Sequence, residues 1–120
     1  MRIYGKEYGF RLDVKAQADI AKLCPAGDIR RFNEIFKGAV NAEMFETAAR
    51  VCVIMSEAYE RRQCFEDLEH KFEPLTLDMV MSLDDVEFEQ LQNEALAKYS
   101  KDSTPTVETE PEKKTNAEAV

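Results

Sequence analysis

The segment from Asn41 to Cys64 constrains the fold of this chain more than any other. Apolar residues recur at helical spacing along it, and between Val51 and Met55 they cover most of the helical circumference. A helix that is apolar on nearly all sides lies at the centre of a core or of an assembly. The sequence therefore predicts a long central helix with the other elements packed around it.

Capping residues and helix breakers predict shorter helices on both sides of the central one. Asp13 is the predicted N-cap of a first helix, which Pro25 ends, and Asp28 is the predicted cap of a second helix. After the central helix, residues 65–74 form a predicted polar linking segment, and Thr76 then caps a short helix. These signals predict a domain in which helices dominate.

The last helix is predicted to begin after Ser82 and to end near Tyr99. Ser82 is its predicted N-cap, and Asp85, three residues later, completes a variant of the capping box. Apolar residues follow at helical spacing as far as Tyr99. We expect this helix to pack on the central one.

The N-terminus carries the signature of a β-hairpin. Aromatic and apolar residues alternate with polar ones on both sides of a short link at residues 5–7. An isolated hairpin is only marginally stable in water, so it must lean on the helices. We expect Tyr4, Tyr8 and Phe10 to form the aromatic face that makes this contact.

The last twenty residues differ sharply in composition from the rest. Residues 101–120 contain no aromatic residue and two prolines, and valine is their only large apolar residue. Such a segment cannot bury enough apolar surface to offset the entropy of ordering its backbone. The predicted fold class is therefore mainly α: a compact helical domain of four to five helices at residues 1–100 with a short N-terminal β-hairpin, followed by a disordered acidic tail at residues 101–120.

Charge argues against two classes of partner. The formal net charge is −8, and the predicted domain and the predicted tail are both acidic. Binding to nucleic acid or to an anionic membrane needs clustered Lys and Arg, which the chain does not offer. No run approaches the ~20 apolar residues of a membrane span, and the N-terminus has no apolar signal core. We expect neither nucleic acid nor membrane as a partner.

No arrangement of residues predicts catalysis or metal binding. His70 is the only histidine, and it is interpreted as a solvated residue of the linking segment. The cysteines Cys24, Cys52 and Cys64 are odd in number and lack the spacing of a zinc site, which fits reduced thiols. Glycines are scattered and form no phosphate-binding loop. We expect no cofactor, no metal and no enzymatic activity.

A partner-binding patch is predicted on the short helix and the residues after it. Methionine is common at adaptable binding faces, and Met79 and Met81 lie between two predicted caps, where partial exposure is expected. The candidate partner-binding residues are Leu77, Val80, Met81 and Leu83. The wide apolar central helix is the second predicted part of this face.

Several segments resemble one protein family. They are residues 2–8 (RIYGKEY), 19–25 (DIAKLCP), the central helix, residues 74–83 (PLTLDMVMSL) and Phe88. Together they resemble the small tail assembly chaperones of long-tailed (siphovirus-type) phages and prophages of Gram-positive bacteria. The resemblance covers the whole predicted domain, but it includes no catalytic motif and assigns no individual binding residue.

The resemblance implies a non-enzymatic role in tail morphogenesis. It implies a helical protein that binds the tape-measure protein and helps to recruit tail tube subunits. Such a protein acts in the host cytoplasm, is absent from the mature virion, and associates with further copies of itself along its client. Two other hypotheses remain open: a structural tail or head–tail completion protein of the virion, and a small acidic regulatory binding protein.

Overall fold

A computed structural model describes residues 1–103 of the chain, and within this range the protein is mainly helical with an N-terminal hairpin, as predicted. The strands are β1 (Arg2–Ile3) and β2 (Lys6–Glu7). The α-helices are α1 (Val14–Ala21), α2 (Ala42–Glu66), α3 (Leu77–Met81) and α4 (Asp85–Ser103). Two 3-10 segments, Pro25–Gly27 and Ile29–Phe36, lie between α1 and α2.

Helix α2 forms the centre of the core, which confirms the principal prediction. Its 25 residues span about 38 Å, and helices α1, α3 and α4 all pack against it. Val51, Cys52, Met55 and Ala58 are almost completely buried. Burial raises the pKa of the Cys52 thiol to about 12, so this cysteine is a small apolar core residue at neutral pH.

The hairpin is shorter than predicted and turns earlier. Arg2 pairs with Glu7 and Ile3 with Lys6, which leaves Tyr4 and Gly5 as a two-residue turn. Both turn residues have positive φ, 51° and 81°, as a primed hairpin turn requires. The link therefore lies at residues 4–5 rather than 5–7.

The aromatic face of the hairpin segment forms with two of its three predicted members. Tyr8 and Phe10 are buried, whereas Tyr4 is exposed because it occupies the turn. The Tyr4 hydroxyl instead donates a hydrogen bond to the Met79 carbonyl oxygen at 3.0 Å. A Cβ at Gly9 would lie 2.5 Å from the Tyr59 ring, so a glycine lets this segment approach α2 closely.

Three of the predicted helix caps are present. The Asp13 carboxylate accepts a hydrogen bond from the Ala16 amide at 2.7 Å, and Asp28 accepts from the Arg30 amide at 2.9 Å. Thr76 accepts from the amide of Met79 at 3.2 Å at the start of α3. Each bond satisfies an amide that has no partner within its own helix.

The predicted cap of α4 is wrong by two residues. The Asp84 carboxylate accepts from the Glu87 amide at 2.8 Å, and the Glu87 carboxylate accepts from the Asp84 amide at 3.2 Å. This reciprocal pair is the capping box, not Ser82 with Asp85. The amide of Ser82 still donates to the Asp78 carbonyl in the last turn of α3, so Ser82 ends that helix and cannot begin the next.

Helix α4 continues beyond its predicted end. It runs to Ser103, so residues 101–103 of the predicted tail belong to the helix. Asp102 explains the extension, because its carboxylate accepts from the Leu12 amide at 3.1 Å and lies 3.4 Å from the Lys98 ammonium group. The rest of the tail predicted to be disordered, residues 104–120, lies outside the described residues.

The connector, residues 67–76, determines how α3 and α4 lie on α2. It runs back along α2, since the Glu73 amide reaches Glu60 and the Leu75 amide reaches Ser56. Helix α4 then follows α2 in the same direction. Phe88 near its start contacts Phe45 near the start of α2, and the two helix N-termini therefore share one end of the molecule.

Candidate functional site

An apolar groove lies where the starts of α2 and α4 meet α3. It encloses about 450 Å³, which is within the usual ~300–1,000 Å³ range of ligand pockets. The residues lining the groove are Ala42, Phe45, Glu46, Val80, Met81, Leu83, Asp85 and Phe88. We call this cavity the α2–α4 groove.

Large apolar side chains of this groove remain accessible to solvent. Phe45 is 44% exposed and Met81 is 48% exposed. The rings of Phe45 and Phe88 meet edge to face, with centroids 6.2 Å apart. Aromatic and methionine side chains that stay exposed in a recess are typical of sites that bind apolar groups of a partner.

The four predicted partner-binding residues do not form one surface. Met81 and Leu83 line the groove, and Val80 is only 1% exposed and forms its floor. Leu77 lines a separate cavity of about 260 Å³ beside Leu23 and Ile54. Leu77, in the first turn of α3, lies near Ile54 of α2, whereas Met81, at the end of α3, lies near Phe45 at the start of α2.

Sequence reasoning did not assign two central groove residues, Phe45 and Phe88, to the predicted patch. Phe45 belongs to the central helix, which is predicted as a second part of the face without individual residues, and Phe88 lies at an apolar position of the last helix. One signal in the sequence could have indicated that Phe45 is exposed. It lies between the acidic residues Glu43 and Glu46, outside the stretch from Val51 to Met55 that is apolar on nearly all sides. Their approach across two helices is a tertiary contact that neither segment encodes alone.

The opposite end of α2 exposes another set of large apolar side chains. Phe65 in the last turn of α2 is 77% exposed, and Leu68 and Phe72 in the connector are also exposed, Leu68 at 95%. We call this region the connector end. None of these three residues lines a cavity described for residues 1–103.

Buried polar groups on α2 hold the connector in place. Ser56 and Glu60, one helical turn apart, are 1% and 4% exposed. The Ser56 hydroxyl accepts from the Leu75 amide at 2.9 Å. The Glu60 carboxylate accepts from the Glu73 amide at 3.2 Å and lies 2.8 Å from the ring nitrogen Nε2 of His70.

His70 is therefore not the solvated loop residue that the sequence suggested. Its ring is two-thirds buried against Glu60, and its carbonyl oxygen accepts from the Cys64 thiol at 3.5 Å. The same network reaches the hairpin, because the Lys6 ammonium group donates to the Glu73 carboxylate at 3.0 Å and lowers its pKa. These contacts are structural: they fix the connector that positions α3.

The lining of the groove is mainly apolar. Its polar lining groups are the carboxylates of Glu46 and Asp85, and no cysteine or histidine lines it. Within residues 1–103, no group of three or more potential metal ligands comes together. None of the helices in this range combines the length and the apolar character needed to cross a bilayer.

Comparisons with protein-family models, with curated proteins and with solved structures give no significant match.

Proposed function

We propose that this chain is a non-enzymatic tail assembly chaperone of a long-tailed phage or prophage. It binds the tape-measure protein and helps to recruit tail tube subunits during tail morphogenesis. It works in the host cytoplasm and is absent from the mature virion. The resemblance of residues 2–8, 19–25 and 74–83 to that family supports this proposal.

The observation that carries the proposal is the α2–α4 groove. A chaperone for a long helical client needs recesses that accept apolar anchors spaced i, i+3, i+4 and i+7 along the client. Phe45, Met81 and Phe88 supply an apolar and adaptable surface of this kind. The net charge of −8 keeps a complex with an apolar client soluble.

Charge also bears on how copies associate. Several copies bound along one client would be brought close together, while their like charges repel one another in solution. Self-association is therefore expected to be weak in the absence of the client. Contacts between copies are expected mainly when several copies are bound to the same client.

Co-expression with the tape-measure protein of the same phage or prophage tests the proposal. The purified complex is sized by light scattering, first with the wild-type chain and then with Phe45→Ala, using Phe65→Ala on the same helix as the matched control. A soluble complex with many copies per client, lost with Phe45→Ala alone, is the expected result. A client that stays insoluble beside a monomeric chain would contradict the proposal.

The two other hypotheses give different results in simple assays. A structural tail or head–tail completion protein would remain in purified virions, where mass spectrometry would detect it. A small acidic regulatory binder would form a complex of fixed ratio with one partner rather than coat a long client. Either result would replace the chaperone proposal.

A further inference from the structure

The two segments that form the α2–α4 groove are acidic in sequence. Residues 42–49 carry two acids and residues 77–89 carry five, and neither segment contains Lys or Arg. Glu46 and Asp85 line the groove itself. Within residues 1–103, Asp85 forms no ion pair.

Nearby positive charge offsets only part of the negative charge of these acidic residues. Arg50 pairs with Glu46 at 2.6 Å and neutralises that carboxylate. The N-termini of α2 and α4 each contribute roughly half a positive charge. After these offsets the two segments keep an excess of several negative charges, and Asp85 is the lining carboxylate without an ion pair within residues 1–103.

We propose that the α2–α4 groove binds a basic amphipathic helix. The partner helix places apolar anchors against Phe45, Met81 and Phe88, and Lys or Arg residues beside those anchors face the acidic rim. This inference builds on the proposed function, since it names the chemistry of the client segment. Charge complementarity at such a rim favours the matching partner and speeds the encounter.

The same charge argument rejects two other occupants. A second copy of this chain carries −8 overall, and Phe65 and Leu68, two of its exposed apolar side chains, stand beside the acids Glu66, Asp67 and Glu69. The segment 104–120 contains four acids and two lysines, and valine is its only large apolar residue. Both would bring negative charge to a negative rim.

Labelled synthetic peptides of about 18 residues, or five helical turns, test the proposal with the full chain. One peptide carries Leu at i, i+3, i+4 and i+7 with Lys beside the anchors. A second replaces each Lys with Glu, and a third keeps the Lys composition but shuffles the Leu off one face. Binding is followed by fluorescence anisotropy at low and high salt.

The Lys-flanked helical peptide is expected to bind about ten-fold or more tightly than either of the other two. Raising NaCl from about 0.05 M to about 0.5 M should weaken its binding, because salt screens the rim charges. Equal binding of the Glu-flanked or the shuffled peptide would overturn the proposal.

Variants locate the binding to the groove. Phe45→Ala is expected to weaken the Lys-flanked peptide about ten-fold, whereas Phe65→Ala, at the other end of α2, leaves it unchanged. Met81→Ser, at an exposed position, provides a second groove variant if Phe45→Ala alters the circular dichroism spectrum. Equal weakening by Phe65→Ala would overturn the assignment to this groove.

The peptide assay and the co-expression assay fail independently. Peptide binding in the groove without a tape-measure complex would uphold this inference and refute the chaperone role. If the tape-measure complex still forms with both Phe45→Ala and Met81→Ser, this inference is refuted. The chaperone proposal would then stand, with the client bound at another surface of the protein.

Discussion

The two ends of α2 are built in opposite ways. At the connector end, polar groups point inward, since Ser56 and Glu60 bind connector amides, while Phe65 and Leu68 face solvent. At the groove end, apolar side chains line a recess and acidic residues stand on the rim. Exposed apolar area alone therefore does not define a site, and among the cavities described for residues 1–103 the groove is the one that combines exposed Phe45 and Met81 with lining carboxylates at the start of α2.

The largest expected effect on stability is at Glu60. Glu60→Ala removes the acceptor for the Glu73 amide and for His70, and should lower the free energy of unfolding by about 2 kcal/mol. Urea denaturation measures this loss. Glu66→Ala is the control, because its exposed pair with Arg62 should contribute less than about 1 kcal/mol.

A local readout separates this effect from general loss of stability. The Cys64 thiol donates to the His70 carbonyl, so freeing the connector should speed labelling of Cys64 in the native state. Glu60→Ala should raise that rate, and the groove variant Met81→Ser should leave it unchanged. Equal labelling rates in both variants would show that Glu60 does not hold the connector.

Ser56→Ala is expected to have the next largest effect. It leaves the Leu75 amide without an acceptor in a buried position, which should cost about 1–2 kcal/mol of unfolding free energy. Ser82→Ala is the matched control, since that side chain is exposed. If both variants unfold at the same urea concentration, the Ser56 bond does not stabilise the connector end.

Asp84→Ala probes the groove end through the cap of α4. Loss of the bond to the Glu87 amide should lower the free energy of unfolding by about 1 kcal/mol. Ser82→Ala should have almost no effect, although the sequence pointed to Ser82 as the cap. A larger loss with Ser82→Ala, measured by thermal unfolding, would restore the original prediction.

Leu68→Ser should have the smallest effect. This side chain is 95% exposed, so its replacement should change the unfolding free energy by less than about 0.5 kcal/mol. It should also leave binding of the Lys-flanked peptide unchanged. A loss of peptide binding would mean that the connector end, and not only the groove, contacts the partner.

Local signals in the sequence were sufficient for three helix starts. Asp13, Asp28 and Thr76 act as caps where predicted, because a cap needs only its own side chain and an amide two or three residues later. The end of α4 was missed because it depends on Asp102 reaching Leu12, a contact across 90 residues.

The candidate site was only half predictable for the same reason. Met81 and Leu83 were predicted from their segment and line the groove, whereas Leu77 lines a different cavity. Phe45 and Phe88 become neighbours only when the connector runs back along α2. The pairs that fix this path, His70 and Glu73 with Glu60, join residues 10 and 13 apart and leave no periodic pattern.

The sequence by itself determined the mainly helical class, the central position of α2, the N-terminal hairpin and the acidic character of the surface. These depend on local spacing, capping and composition, which act within one segment. Only the tertiary structure decided which apolar residues became core, floor of a groove or exposed surface. Burial depends on how the segments pack against one another. Here Ser56 and Glu60, two buried polar residues of α2, hold the connector in its path and so fix how α3 and α4 pack on α2.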